Sequence, residues 1–295
     1  MAVGYKFQTE WVLRRGLLLL TAMYVGAVGG ATYFFSVLLN YGLGVVVGFI
    51  LLGICKPLFH LAFLGRPSKF YLMPSKPGTS WISRGFVGLI FFLIFGGVVV
   101  CSYTTWTWLQ GTTALLTISI ISLGLSLFLV LYDGFVLASC KGIPFWNNGI
   151  LPILMLTTAF IVGIACIDSL YLMLQPTPTT LIKVLENWHA FFLLLGAFLV
   201  IAFLWVATYI DVTAEKSVYV ILRGNVAPIF WLTVFLAVIF PLTAVSYSLL
   251  IKPLNTFLSI IGMVELIGDF LLKYSFLRAG IYRTLVYPWS YSIVV

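Results

Sequence analysis

The sequence is short of charge. Only 8% of its 295 residues are Asp, Glu, Lys or Arg, against about a quarter in an ordinary soluble domain. No sizeable polar segment interrupts the 62% hydrophobic remainder, so a separate aqueous catalytic module is excluded. Clustered thiolates are missing too. Cys55, Cys101, Cys140 and Cys166 are scattered without a CxxC pair, so neither structural zinc nor an iron–sulfur cluster is expected, and no CxxCH attaches a c-type haem. Histidine is reduced to His60 and His189. These fall near opposite ends of their apolar segments, roughly 20 Å apart across a bilayer core of about 30 Å. Two such histidines cannot share a haem iron, and no metal site is predicted.

Long apolar runs are what the sequence does have. Eight of them, at about 16–39, 42–64, 85–106, 113–138, 149–171, 187–211, 226–250 and 254–276, are each long enough to span a membrane as a helix. They are too continuous for the alternating strands of a barrel. The expected fold is an all-α integral membrane protein of eight transmembrane helices, arranged as two four-helix bundles, with residues 1–295 forming one polytopic domain. The first run follows Arg14-Arg15 and exceeds the roughly 7–15 residues of a signal-peptide core, so it reads as a retained helix. Breakers mark the connections: Asn40-Tyr41-Gly42, Gly111, Asn147-Asn148-Gly149, Pro176, Pro178, Asn225 and Pro253. Pro57 and Pro241 are the prolines well inside spans, away from their ends.

An even number of spans puts both termini on one side. That side collects Lys6, Arg14, Arg15, Arg66, Lys69, Lys76, Arg84, Lys141, Lys216, Arg223, Arg278 and Arg283, against Lys183 and Lys252 on the other. The bias predicts a multi-pass protein of the cell (inner) membrane with both termini and the second connection cytoplasmic. The basic excess is then topological, in contact with the lipid bilayer, and nucleic acid is not an expected partner.

The longest polar interval, Phe59 to Phe86, reads FHLAFLGRPSKFYLMPSKPGTSWISRGF. It ends the second span with His60 and a Gly65-Arg66-Pro67 turn, crosses a basic loop, and opens the third span with Trp81 and Arg84. The loop's charges and aromatics serve orientation, docking of an acidic partner, or both. Ionisable residues inside spans are functional candidates because their burial is costly. Lys56 and His60 share a helix face, and Asp133 follows Tyr132 near the same side, where a ligand could enter between the second and fourth spans. Glu265, Asp269 and Lys273 recur every four residues along the last span. This spacing permits an Asp269–Lys273 pair and leaves Glu265 seeking a partner elsewhere. Lys273 could also snorkel to the interface. Lys56, Glu265 and Asp269 are candidates for a proton path. Asp168 and His189 lie near the far side.

The segment HLAFLGRPSKFYLMPSKPGTSWISRG resembles the signature between the second and third helices of the NrfD/polysulfide reductase membrane-subunit family, which includes DMSO reductase anchor-like proteins. TAMYVGAVGG, YDGFVLASCKGIPFWNNGILP and LIGDFLLKYSFLRAGIY extend the likeness over nearly the whole chain. The resemblance implies an anchor without haem or cluster that exchanges electrons with a menaquinone-type carrier. Its partners would be a four-cluster ferredoxin-like iron–sulfur subunit and a molybdopterin catalytic subunit. It also implies site residues. Thr21, Tyr24, His60, Leu64, Gly65, Arg66, Tyr132 and Asp133 would bind the carrier, with Tyr132 donating to a carbonyl and His60 or Asp133 exchanging the proton. Arg66, Lys69, Lys76, Trp81, Arg84 and Lys141 would face the iron–sulfur subunit. Some members carry a polar Asn/His pair in the first helix, where this chain has Leu18 and Thr21. A purely structural anchor and a proton-translocating or transporter unit are the competing readings.

Overall fold

A computed structural model describes residues 6–174, 180–250 and 255–283. Pro176, Pro178, Lys252 and Pro253 lie outside them. The described chain is built from nine helices: α1 (Gly16–Leu38), α2 (Gly42–Phe63), α3 (Trp81–Thr104), α4 (Thr113–Ala138), α5 (Ile150–Leu174), α6 (Thr180–Ile210), α7 (Val212–Arg223), α8 (Ala227–Leu250) and α9 (Asn255–Arg278). Seven of them, α1 to α6 and α8, are long and apolar enough to cross a membrane. α9 matches them in length, but Glu265, Asp269 and Lys273 lower its hydropathy. At twelve residues, α7 is too short to cross.

Local chemistry sets the ends of these helices. α3 begins at Trp81, four residues before the sequence boundary of 85. There Ser80 sits in extended backbone and its side chain accepts from the Ser83 N–H, an N-cap that starts the helix. Thr112 caps α4 in the same way through Leu115 N–H. Asn40 takes a left-handed φ of 56° between α1 and α2, a conformation Asn tolerates.

Pro57 and Pro241, the prolines beyond the first turn of a span, each follow a widened turn. Residues Ile50–Cys55 and Phe235–Ile239 are π-helical, so that Lys56 N–H bonds Leu51 O and Phe240 N–H bonds Phe235 O, five residues back. Pro57 and Pro241 come next, each without an N–H and with a ring that crowds the carbonyl four residues earlier. One extra residue in the preceding turn relieves that clash, and it rotates the following side chains by about 100°.

α1 and α5 sit at the centre, with 61% and 78% of their spans buried. α1 packs on α2, α4 and α5, while α5 packs on α1, α4, α6 and α9. The two ends of the described chain meet at one face. β1 (Lys6–Phe7) pairs antiparallel with β2 (Ile281–Tyr282), and Arg278 donates to Gln8 O at 3.0 Å. Arg283 bridges to Asp211 at 2.8 Å.

Candidate functional site

The second span's polar residues and the fourth span's end meet beneath the loop that joins α2 to α3. Lys56 Nζ lies 2.8 Å from Asp133 Oδ2 and donates to Leu129 O at 3.3 Å. Both side chains are buried, at 5% and 6% exposure. A buried pair of this kind survives only when charge is matched and the remaining donors are satisfied. The Lys56 ammonium also lies 5.2 Å from the centre of the Tyr132 ring. A glycine makes room for it: a Cβ on Gly26 of α1 would stand 2.8 Å from Lys56 Nζ and 2.9 Å from Cε. Any larger residue there would push the lysine off Asp133.

His60 is one turn further along α2. Its Nδ1 lies 3.1 Å from the Lys56 carbonyl. A carbonyl only accepts, so Nδ1 carries the proton and Nε2 is left as a bare acceptor. Nε2 has no hydrogen-bond partner among the described residues, and neither has the Tyr132 hydroxyl. Tyr132 is buried, its ring held against Gly85, where a Cβ would come within 2.6 Å of ring atom Cδ2.

These two side chains stand between two cavities of about 210 Å³ and 190 Å³. His60, Leu64, Met73, Ile82 and Tyr132 line both. Pro57, Leu89 and Leu93 extend the first along α2 and α3. The second runs towards Trp11, Leu19, Met23 and Asp133. The loop that closes them contains a 3₁₀ segment, Pro67–Ser75, tied to α3 by Ser83 Oγ donating to Met73 O at 2.5 Å. A larger groove of about 470 Å³ between α6, α7 and α8 offers the hydroxyls of Thr208 and Thr233 and the indole N–H groups of Trp205 and Trp231, of which Thr208 and Trp231 are already bonded to backbone carbonyls. It lacks the convergent polar groups expected of a site.

The structure therefore brings His60, Leu64, Tyr132, Asp133 and Lys56 together. Other sequence candidates stand elsewhere. Gly65 and Arg66 are exposed beyond the end of α2, with open space around Gly65; the slot is lined by Leu64 instead. The α1 residues that reach it are Leu19 and Met23. Thr21 Oγ1 bonds back to Leu17 O at 2.7 Å. Tyr24 turns towards α9, where its hydroxyl donates to Leu266 O at 2.8 Å.

Arg66, Lys69, Lys76 and Lys141 are exposed around the loop. Trp81 and Arg84 are committed to holding the loop: Trp81 stacks on Phe135 at 4.6 Å, and Arg84 donates to Pro77 O at 2.8 Å and Gly78 O at 2.7 Å. The proton-path candidates separate, since Lys56 belongs to the His60 group while Glu265 and Asp269 lie on α9. Asp269 pairs with Lys273 one turn along. Lys273 is buried and also reaches Thr158 Oγ1 at 3.4 Å, so it does not snorkel to the interface; its partners hold it inside. Glu265 finds His189.

Gly26 and Gly85 are the positioning residues that sequence reasoning missed, although both sit inside quoted stretches, TAMYVGAVGG and TSWISRG.

A family model described as polysulphide reductase, NrfD matches residues 15–284. The chain belongs to the NrfD family. Membership makes it a membrane subunit of a redox complex, in keeping with its many apolar helices and the charged group enclosed beneath its longest loop. No curated protein matches the chain.

Proposed function

We propose that this NrfD-family chain anchors a respiratory iron–sulfur/molybdopterin oxidoreductase in the membrane and exchanges electrons with a menaquinone-type carrier in the cavities beside His60. One observation carries the reading. Two polar groups without partners, His60 Nε2 and the Tyr132 hydroxyl, face otherwise apolar space and are backed by the buried Lys56–Asp133 pair. A quinone fits that chemistry, needing an apolar slot for ring and tail and a polar group at each carbonyl oxygen. When bound, it supplies a two-electron, two-proton couple.

The chain's own residues then divide the work. His60 Nε2 is placed to accept a proton from a quinol hydroxyl, while Nδ1–H stays anchored on the Lys56 carbonyl and keeps the ring oriented. The Tyr132 hydroxyl would donate to the second oxygen, and His60 would take the two quinol protons in turn, passing on the first before it accepts the second. Lys56 and Asp133 hold a fixed positive and a fixed negative charge behind both, and Leu64, Met73 and Ile82 exclude water. The electrons leave to a four-cluster ferredoxin-like iron–sulfur subunit docked over the loop by Arg66, Lys69, Lys76 and Lys141.

Eight crossings go with this reading. The β1–β2 pairing, which brings both ends of the described chain together, supports an even number of spans with α9 as the eighth. α1 to α4 and α5, α6, α8 and α9 then form two four-helix groups joined through α1 and α5. The test is a titration of the partner's iron–sulfur signals in the purified complex with a quinol analogue. The expected result is reduction of those signals in the natural protein and its loss in H60Q and Y132F. An analogue that leaves every signal unchanged in the natural complex makes the chain a purely structural anchor.

A further inference from the structure

A second group of ionisable side chains lies across α1 from His60 and shares none of the cavity lining. Asp168 of α5, His189 of α6 and Glu265 of α9 converge, with His189 Nε2 3.0 Å from Glu265 Oε2 and Nδ1 3.8 Å from Asp168 Oδ2. All three are buried, Glu265 completely. Asp168 Oδ1 has no hydrogen-bond partner within this enclosure. We propose that Asp168, His189 and Glu265 form a buried proton-binding site, separate from the cavity beside His60.

Charge balance carries the argument. With both carboxyls ionised and the imidazole neutral, the triad bears two negative charges. A proton on His189 still leaves one. Among the described residues, the neighbouring groups do not remove it. Lys273 of α9 is engaged by Asp269, whose Oδ1 is itself unpaired. Glu186, one turn before His189, has partners of its own, Ser248 Oγ at 2.8 Å among them, and brings no positive charge. Cys166 of α5 and Tyr24 of α1 bring no positive charge. An uncompensated charge at this depth is expensive, and such groups take up protons instead. The unpaired Asp168 oxygen is where a proton can sit. Among the described residues, no group of three His, Cys, Asp or Glu side chains has the arrangement to hold a metal ion.

The triad is also within reach of the membrane face opposite the β1–β2 pairing. Asp168 is six residues from the end of α5, His189 nine from the start of α6, and Glu265 ten from the start of α9. At 1.5 Å per residue these are depths of about 9 to 15 Å. That face is therefore the nearer source of protons for the site, and a route from it need not pass the His60 cavity.

Infrared spectroscopy of the purified chain in lipid nanodiscs, at neutral pH and with no quinone added, tests this. Only eight Asp and Glu residues occur in the sequence, so carbon-13 labelling of Asp or of Glu assigns a carboxylic acid band without any substitution. The expected result is at least one protonated carboxyl per chain, with a C=O band that shifts in D₂O. That band should be lost in D168N or E265Q. Three outcomes overturn the proposal: no carboxylic acid band at neutral pH, a band that persists in both variants, or a band that vanishes when sodium replaces choline at constant ionic strength. The last would make the ligand a monovalent cation. Because no quinone is present, a negative result leaves the quinone reading standing, and the reverse holds.

Discussion

At the scale of single residues, the difference between a charged group and a useful one is whether its hydrogen bonds are used up. Asp133 spends a carboxylate oxygen on Lys56, and that pair is structural before it is anything else. Replacing Lys56 by Met strands a buried carboxylate and should lower stability by about 3–5 kcal/mol, measured as thermal unfolding of the purified protein in detergent. Removing both charges in a K56M/D133L variant should restore most of that loss. His60 is different, because one nitrogen is anchored and the other bare. H60Q should keep the fold and lower quinol oxidation by the complex by about 10²–10⁴-fold, the usual contribution of a placed acid–base group. G85A acts at one remove. Its methyl group would displace the Tyr132 ring, and a shift of about 1 Å can cost on the order of 10²-fold. Turnover should therefore fall in G85A, and the G85A/Y132F double variant should be little worse than Y132F alone.

At the scale of elements, α7 and the pairing of the chain ends form one polar clasp. Burial alone would raise the Asp211 carboxyl, but hydrogen bonds from the Thr213 N–H and side chain, together with Arg283, outweigh it and hold the carboxyl below its usual range. α7 is further suited to its dipole by Glu215 in its first turn and Arg223 in its last. The folded pKa being depressed, this contribution is present above the unfolded value of about 3.9. It is lost as pH falls through the folded value. The protection of the Ile281 and Tyr282 amides, that is, their exchange relative to the intrinsic rate at each pH, should fall in that acid window and be unchanged between pH 6 and 8. D211A should bring the lower protection to neutral pH and cost about 1 kcal/mol of cap energy.

At the scale of the whole molecule, the basic residues predict an orientation. The loop over the cavity should lie in the cytoplasm. In a chain stripped of its natural cysteines, K69C should react with an impermeant maleimide only from the cytoplasmic side, and Q110C in the α3–α4 connection only from the other. Labelling of K69C from outside would invert the topology.

How far sequence reaches in such a protein follows from what membrane burial demands. A helix in lipid must satisfy its own backbone and stay apolar over a fixed length, and both requirements are written in consecutive residues. The span at 113–138 was therefore legible to the residue, and the Asp269–Lys273 pair followed from a spacing of four. The start of α3 was misplaced because a single serine cap, not hydropathy, sets it. α7 was hidden because its signals, an Asp cap and a charge gradient, are short and polar. Partnerships between helices leave no such trace. Nothing local reveals that Lys56 reaches Asp133 through the space Gly26 leaves open, that Tyr132 leans on Gly85, or that His189 joins Asp168 to Glu265. Those depend on which faces of rigid cylinders meet, and the π turn before Pro57 changes the facing by a rotation that no periodicity reports. Chain order thus specified the spans and their ionisable contents, and packing alone sorted those contents into a cavity wall and an enclosed triad.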